Sequence, residues 1–103
     1  MGLYAQPNNI VPPAKRSIAD LQALPDDTTK VLYFHRVGWD TSYYNLALGL
    51  EYAQEGLRIA RQIKWVRGQV LCLNAVGSSL TDLGEYDDAL AAHLEGLKLA
   101  DSA

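Results

Sequence analysis

The side chains of this sequence best suited to metal binding or nucleophilic chemistry are two histidines and one cysteine. A zinc pair on a helix needs a second histidine or a carboxylate four positions further on, and neither His35 nor His93 has one. Cys72 is the only cysteine, which excludes an intramolecular disulfide and a cysteine-rich metal site. Because it lies between Leu71 and Leu73, we expect a buried and inert thiol. The sequence therefore predicts no metal site and no cofactor.

The hydroxyl and carboxylate side chains do not form a catalytic arrangement either. Ser78 and Ser79 follow Gly77, but the residues around them do not form the Gly-x-Ser-x-Gly elbow of serine hydrolases. Asp87 and Asp88 are better explained by the first turn of a helix, where the helix dipole favours negative charge. We therefore predict no catalytic residues, and a protein that is not an enzyme.

Four basic residues recur every three positions near the end of a predicted helix: Arg58, Arg61, Lys64 and Arg67. Such a stripe is typical of a solvated face whose charge also suits a helix C-terminus. The alternative is a site for an anion or an acidic partner. The formal net charge of −3 argues against a general attraction to nucleic acid or anionic membranes. No apolar run approaches the length of about 18 residues that would predict a membrane-spanning helix.

Length and composition divide the chain into a tail and one domain. The 103 residues suffice for one domain, and 49% hydrophobic residues is ordinary for a folded protein. Residues 1–14 contain three prolines and no apolar periodicity, which predicts a disordered tail. Residues 1–5 also look like the end of a bacterial secretion signal, which would make the product exported or periplasmic. The alternative is an ordinary N-terminal tail, as in a cytoplasmic protein.

The clearest helical pattern lies in the second half of the chain, where two helices flank a tight turn at Gly84. The apolar or small positions of the first helix are Leu73, Val76, Gly77 and Leu80, and those of the second are Ala89, His93, Gly96, Leu97 and Ala100. The small residues Gly77, Ala89 and Gly96 would let the two helices approach closely. Ser79 is expected on the outer face.

The first half predicts three helices, over residues 15–24, about 28–42 and about 46–63. Ser17 is expected to cap the first, and Asp27 or Thr28 the second, because their side-chain oxygens can accept bonds from the free amides of the first turn. The residues expected to face inward are Val31, Phe34, Val37, Gly38, Thr41, Gly49, Leu50, Ala53, Gly56, Leu57 and Ala60.

The two halves look like copies of one unit. Residues 49–60 (GLEYAQEGLRIA) and 89–100 (ALAAHLEGLKLA) share a leucine, Glu-Gly-Leu and a closing alanine, at an offset of roughly 40 residues. The pattern resembles the tetratricopeptide repeat (TPR) family, in its longer-helix subclass. The residues that match are Leu73, Val76, Gly77, Leu80, Gly84, Glu85, Tyr86, Ala89, His93 and Gly96.

The first copy departs from the family pattern in two ways. Gly49 replaces the usual alanine, and glycine inside a helix costs roughly 1 kcal/mol relative to alanine. We therefore expect the first repeat to be the less stable one. Its turn lacks the Gly-x-Tyr sequence and is expected to be one residue shorter.

The resemblance implies an all-α protein, an α-α superhelix (solenoid) of two TPR-like hairpins preceded by a short helix. Repeat one would cover residues 27–64 and repeat two residues 66–101, within a domain of residues 15–103. The residues expected to pack the repeats are Gly77, Gly84, Tyr86, Ala89, Gly96 and Leu97, with His93 between the helices and Trp65 between the hairpins. Since an array needs about three repeats, leucines such as Leu90, Leu94 and Leu97 should be partly uncovered, which predicts a homodimer through this end.

The family binds its ligands on a concave face lined by the first helix of each repeat. The resemblance places six residues there: His35, Trp39, Ser42, Asn74, Ser78 and Thr81. Trp39 is the expected recognition residue, because exposed tryptophan offers a large contact area; the alternative is that it packs beneath the N-terminal helix. The lysines of the chaperone-type peptide clamp are missing.

We therefore predict a non-catalytic module that binds a protein or peptide. The segment that begins at Asp26 also resembles the start of repeat arrays in bacterial sensor proteins, which predicts the N-terminal piece of a signalling sensor or scaffold protein. The alternative is a structural fragment of a longer array, without binding activity of its own.

Overall fold

The computed structural model describes residues 17–102, and over that range its regular secondary structure is helical throughout. The helices are α1 (Ile18–Gln22), α2 (Thr28–Ser42), α3 (Leu46–Gln62), α4 (Val66–Asp82) and α5 (Tyr86–Ser102). The all-α prediction is confirmed, although the first helix is shorter than expected. Within residues 17–102, no helix has the length and apolar character needed to cross a membrane. The tail predicted for residues 1–14 lies outside the described residues.

Three helices begin at a side chain that accepts a hydrogen bond from the first turn. Ser17 Oγ accepts from the amide of Asp20 at 3.1 Å, and Asp27 Oδ1 accepts from the amide of Lys30 at 3.0 Å. Asn45 Oδ1 caps α3 in the same way, at 3.0 Å from the amide nitrogen of Leu48. Each such cap stabilises a helix by about 1 kcal/mol. The caps at Ser17 and Asp27 were predicted; the role of Asn45 was not.

The turns that connect α2 to α3, α3 to α4 and α4 to α5 are all three residues long. The expectation of a shorter turn in the first hairpin is therefore wrong. The second and third turns close alike, because the amide of Trp65 donates to Ala60 O at 2.9 Å and that of Glu85 to Leu80 O at 2.8 Å. This closure requires a left-handed residue just after the helix. Lys64 has a φ of 59° and Gly84 a φ of 84° at these positions.

The left-handed backbone at Lys64 and Gly84 gives a first prediction. A side chain at such a position costs roughly 1–2 kcal/mol, offset in part by the greater chain entropy of glycine. We expect Lys64→Gly to raise the free energy of unfolding by about 0.5–1 kcal/mol and Gly84→Ala to lower it by about 1 kcal/mol. Urea unfolding measures both. Lys64→Ala, which removes the charge but keeps the strained backbone, is the control and should not stabilise; a Lys64→Gly protein less stable than the parent would contradict the assignment.

The core is formed by inward stripes of α2, α3 and α4. The predicted stripe of α2 is buried in full, and it includes Phe34 and Val31, which have no exposed surface. On α3 the prediction missed Tyr52 and Ile59, which are also buried. The ring of Tyr52 lies 6.2 Å from that of Phe34, between ring centres. The spacing of apolar residues thus identified most of this core.

Ser79 corrects one expectation: it is buried, and not on an outer face. The reason is the position of α4, which packs against α3 on one side and α5 on the other, and also meets α2. A helix with neighbours on several sides has more than one buried stripe. Its buried residues are Gly68, Cys72, Leu73, Ala75, Val76, Gly77 and Ser79.

The α4–α5 hairpin uses small residues where they were predicted. Gly77, Ala89 and Gly96 are all buried. The His93 ring covers Gly77 so closely that a Cβ there would lie 2.6 Å from the imidazole Cε1. The packing predicted for Tyr86 and Leu97 is wrong within the described residues, because they are 68% and 60% exposed. Both lie on the side of α5 that faces away from α4. The exposure of Leu97 agrees instead with the expectation that the leucines at this end are partly uncovered.

Candidate binding groove between α2 and α4

A groove of about 530 Å³ lies along α2 where α4 approaches it. Its lining residues are Leu32, Tyr33, His35, Arg36, Trp39 and Asp40 from α2 and Leu71 from α4. We call it the α2–α4 groove. Four of its α2 residues follow helical spacing, from Leu32 through His35 and Arg36 to Trp39, so they share one face of the helix. The first helices of the two hairpins therefore both contribute to this surface.

Trp39 is the largest exposed side chain of the groove. Its side chain is 49% exposed, and its ring stacks on that of His35 with 6.4 Å between ring centres and 24° between planes. The N-terminal helix lies elsewhere, since Gln22 Nε2 donates to Glu55 Oε2 of α3 at 3.2 Å. The alternative that Trp39 packs beneath this helix is thus not seen in the described residues.

The charges near Trp39 define what the groove can accept. Burial, and secondarily the charge of Arg36, lowers the pKa of His35, so its imidazole is neutral at pH 7 and stacks as an ordinary aromatic ring. Arg36 and Asp40 are exposed and one helical turn apart, which gives the rim one positive and one negative group. An apolar, aromatic floor with mixed rim charges suits a peptide segment that inserts an apolar side chain.

A second, smaller cavity of about 160 Å³ adjoins the groove at Trp39. Its lining includes three of the residues predicted for the concave face, Trp39, Ser42 and Ser78, together with the buried Ser79. Ser42 Oγ donates to Trp39 O at 2.7 Å, so that hydroxyl is already engaged. The structure thus brings four predicted residues to one region: His35 in the groove, Ser42 and Ser78 in the cavity, and Trp39 in both.

The other two predicted residues lie on the α5 side of α4. Asn74 is close to Gly96, where an added Cβ would be 3.4 Å from Asn74 Oδ1. Thr81 Oγ1 donates to Gly77 O at 2.9 Å within α4. Neither lines the groove or the small cavity. Sequence reasoning missed Leu71, which completes the groove from α4; its apolar side chain gave no local sign that it would face α2.

The remaining candidates for chemistry are accounted for by structure. Cys72 is fully buried, and burial raises the pKa of its thiol to about 12. Arg61 Nη2 pairs with Glu95 Oε2 at 2.7 Å and so links α3 to α5, while Arg58 pairs with Glu55. Two of the four basic residues thus have acidic partners within the chain. Among residues 17–102, no three histidine, cysteine or acidic side chains come together in a way that could hold a metal ion.

Comparisons with known proteins identified no relative of this chain. Neither a scan against family models nor searches of curated proteins and solved structures found a match to this chain. The proposal below therefore draws on the residues of the chain, the positions of its helices and the groove.

Proposed function

We propose that this chain is a non-catalytic binding module, a short α-α solenoid of two TPR-like hairpins, which holds a peptide segment of a partner protein in the α2–α4 groove. The positions of the helices support a repeat of 40 residues. The helix α3 begins at Leu46 and α5 at Tyr86, 40 residues later, and both helices are 17 residues long. The helices α2 and α4 end at Ser42 and Asp82, again 40 residues apart.

The observation that carries the function is Trp39, half exposed in a groove between the first helices of the two hairpins. Large rigid aromatic side chains supply contact area at low entropic cost and are frequent hot spots of binding. About half of Trp39 remains exposed, so it offers contact area that the core does not use. The ring of His35 stacks beside it.

The wider setting is proposed from the resemblance of the segment that begins at Asp26 to the start of repeat arrays in bacterial sensor proteins. In that setting, the module is the repeat segment of a larger sensor or scaffold protein and recruits a partner to it. The binding step itself requires only the described groove, and it is the step that can be tested directly.

The test is binding of peptides to a variant in which Trp39 is the only tryptophan, made by Trp65→Phe. Peptides from a random library that bind should change the Trp39 emission, because they bury the indole. We expect Trp39→Ala to weaken their binding at least tenfold, as truncation of a hot spot does. Tyr44→Ala is the matched control, since Tyr44 is 80% exposed and lines neither the groove nor the small cavity.

Two results would contradict the proposal. One is a set of peptides that bind equally well to the parent and to Trp39→Ala. The other is a library without any binder, which would favour the alternative of a structural fragment of a longer array.

A further inference from the structure

A continuous apolar surface runs along α5 and the turn before it, on the side opposite to α4. It is formed by Leu83, Tyr86, Leu90, Leu94 and Leu97, which are between 39% and 68% exposed. We call it the α5 face. Its members are three or four residues apart, so they form one stripe along the helix. Within the described residues nothing covers this stripe.

The area of the α5 face is large enough for a contact between two copies of this face. A half-exposed leucine or tyrosine leaves roughly 100 Å² uncovered, so the face offers roughly 500 Å². Patches of this size on a single chain are often functional. Two such faces in contact would bury roughly 1,000 Å² of apolar surface before any rim residue is counted, which is near the lower bound for a specific interface.

Two opposite charges beside the α5 face, Asp87 and Lys98, favour a second copy of this chain as the occupant. Asp87 and Lys98 are eleven residues apart, which is about three helical turns, so they lie on the same rim of the stripe. Both are exposed, and neither forms an ion pair with another described residue. When two copies of a helix pack antiparallel about a two-fold axis, a given rim of one copy lies against the same rim of the other copy. The residues along the two rims then run in opposite directions. Asp87 of one copy then lies opposite Lys98 of the other, and the reverse pair forms as well.

A parallel two-fold arrangement would not pair these charges. In a parallel two-fold pair, each rim meets the opposite rim of the second copy, and that rim carries His93 and Ala100. Lys98 would then have no acidic partner, and Asp87 would meet no lysine or arginine. Complementary charges across an interface fix orientation and register, so the order of the two residues favours the antiparallel pair.

We propose that the α5 face binds a second copy of this chain, as an antiparallel two-fold pair of α5 helices. Leu90 packs against Leu94 of the second copy, Leu97 packs against the turn that carries Tyr86, and two Asp87–Lys98 pairs flank the contact. A two-fold contact covers the apolar stripe on both copies at once. This inference does not rest on the proposed peptide binding, because the α2–α4 groove and the α5 face share no residue.

The test is sedimentation velocity of the full chain over a range of concentrations, with the two charges reversed one at a time. We expect the parent to form dimers. Asp87→Lys and Lys98→Asp should each weaken the dimer at least tenfold, because each places two like-charged pairs across the contact. An equimolar mixture of the two variants should form dimers again, since every pair in the mixed dimer then joins opposite charges.

The mixing experiment separates the proposal from simple loss of folding. A variant that merely unfolds cannot be restored by mixing with another weakened variant. Asp88→Lys is the matched control: it makes the same change in the same helical turn, but Asp88 lies on the far side of α5 from Leu90, so the dimer should persist. A parent that remains monomeric, or a dimer that both reversals leave unchanged, would overturn the proposal. Weakened single variants that do not form dimers on mixing would overturn the antiparallel arrangement.

Discussion

Replacement of Lys30 by methionine is expected to lower the free energy of unfolding by about 2–4 kcal/mol and to release α1 from the rest of the fold. Lys30 is only 4% exposed. Its ammonium donates to Gln22 O at 2.8 Å, Leu24 O at 2.9 Å and Asp26 Oδ1 at 2.7 Å. Gln22 is the last residue of α1 and Leu24 follows two residues later, so neither carbonyl is paired with an amide of a continuing helix. Methionine fills the same space but removes the ammonium donor from these acceptors, and the loss of hydrogen bonds from a buried charged group costs about 1.5–3 kcal/mol each at most.

The measurement is urea unfolding, with amide hydrogen exchange of residues 18–22 as a local readout. Leu21, whose side chain is 1% exposed, should lose its burial when α1 is released. Asp26→Asn is the matched control, because it removes one charge but keeps both carbonyl bonds, and it should cost much less. Equal losses in the two variants would mean that the salt bridge, and not the carbonyl pair, holds α1.

The same contact fixes a dependence on pH. The hydrogen bond from Lys30, together with its charge, lowers the pKa of Asp26 in the folded protein. A lowered folded pKa stabilises the fold at pH values above the ordinary pKa of the carboxyl, and this stabilisation is lost as the pH falls through the folded value. The Lys30→Met protein should not show this contribution of Asp26.

Lys30 also shows where sequence reasoning stops. The helices could be predicted because apolar residues recur at helical spacing and because Ser17, Asp27 and Gly84 are ordinary helix boundaries. A lysine next to a predicted stripe gives no local sign that its ammonium reaches the carbonyls of an earlier helix. That contact depends on how the short α1 folds back, which is a tertiary property.

The candidate site, too, could be predicted from the sequence only in part. The resemblance placed Trp39 and His35 on one face of α2, and both residues line the groove. The other wall of the groove depends on how α4 lies against α2, and so Leu71 was missed and Ser79 was placed outside. The spacing of apolar residues reveals one buried face of a helix well, but a central helix such as α4 has several.

Gly49 shows a similar limit, because the structure gives a reason for glycine at this position that the sequence did not reveal. Alanine was expected to suit this position better, because it is the better helix former. The helices α2 and α3 cross closely here, and a Cβ on Gly49 would lie 2.9 Å from Ser42 Cα and 3.0 Å from Gly38 O. These are backbone atoms, which can move only if the two helices separate. The position thus requires glycine for space.

We therefore expect Gly49→Ala to destabilise the protein by about 2 kcal/mol, because the strain of overpacking a close contact exceeds the gain in helix propensity. Gly96→Ala is the matched control on α5, since a Cβ there would meet its nearest atoms at 3.4 and 3.5 Å, which is ordinary contact. It should stabilise by about 0.5–1 kcal/mol through helix propensity alone. Thermal and urea unfolding of the two variants, side by side, give the comparison. Stabilisation of both variants would show that α2 and α3 can separate at little cost, and that their contact at Gly49 does not determine the packing of the first hairpin.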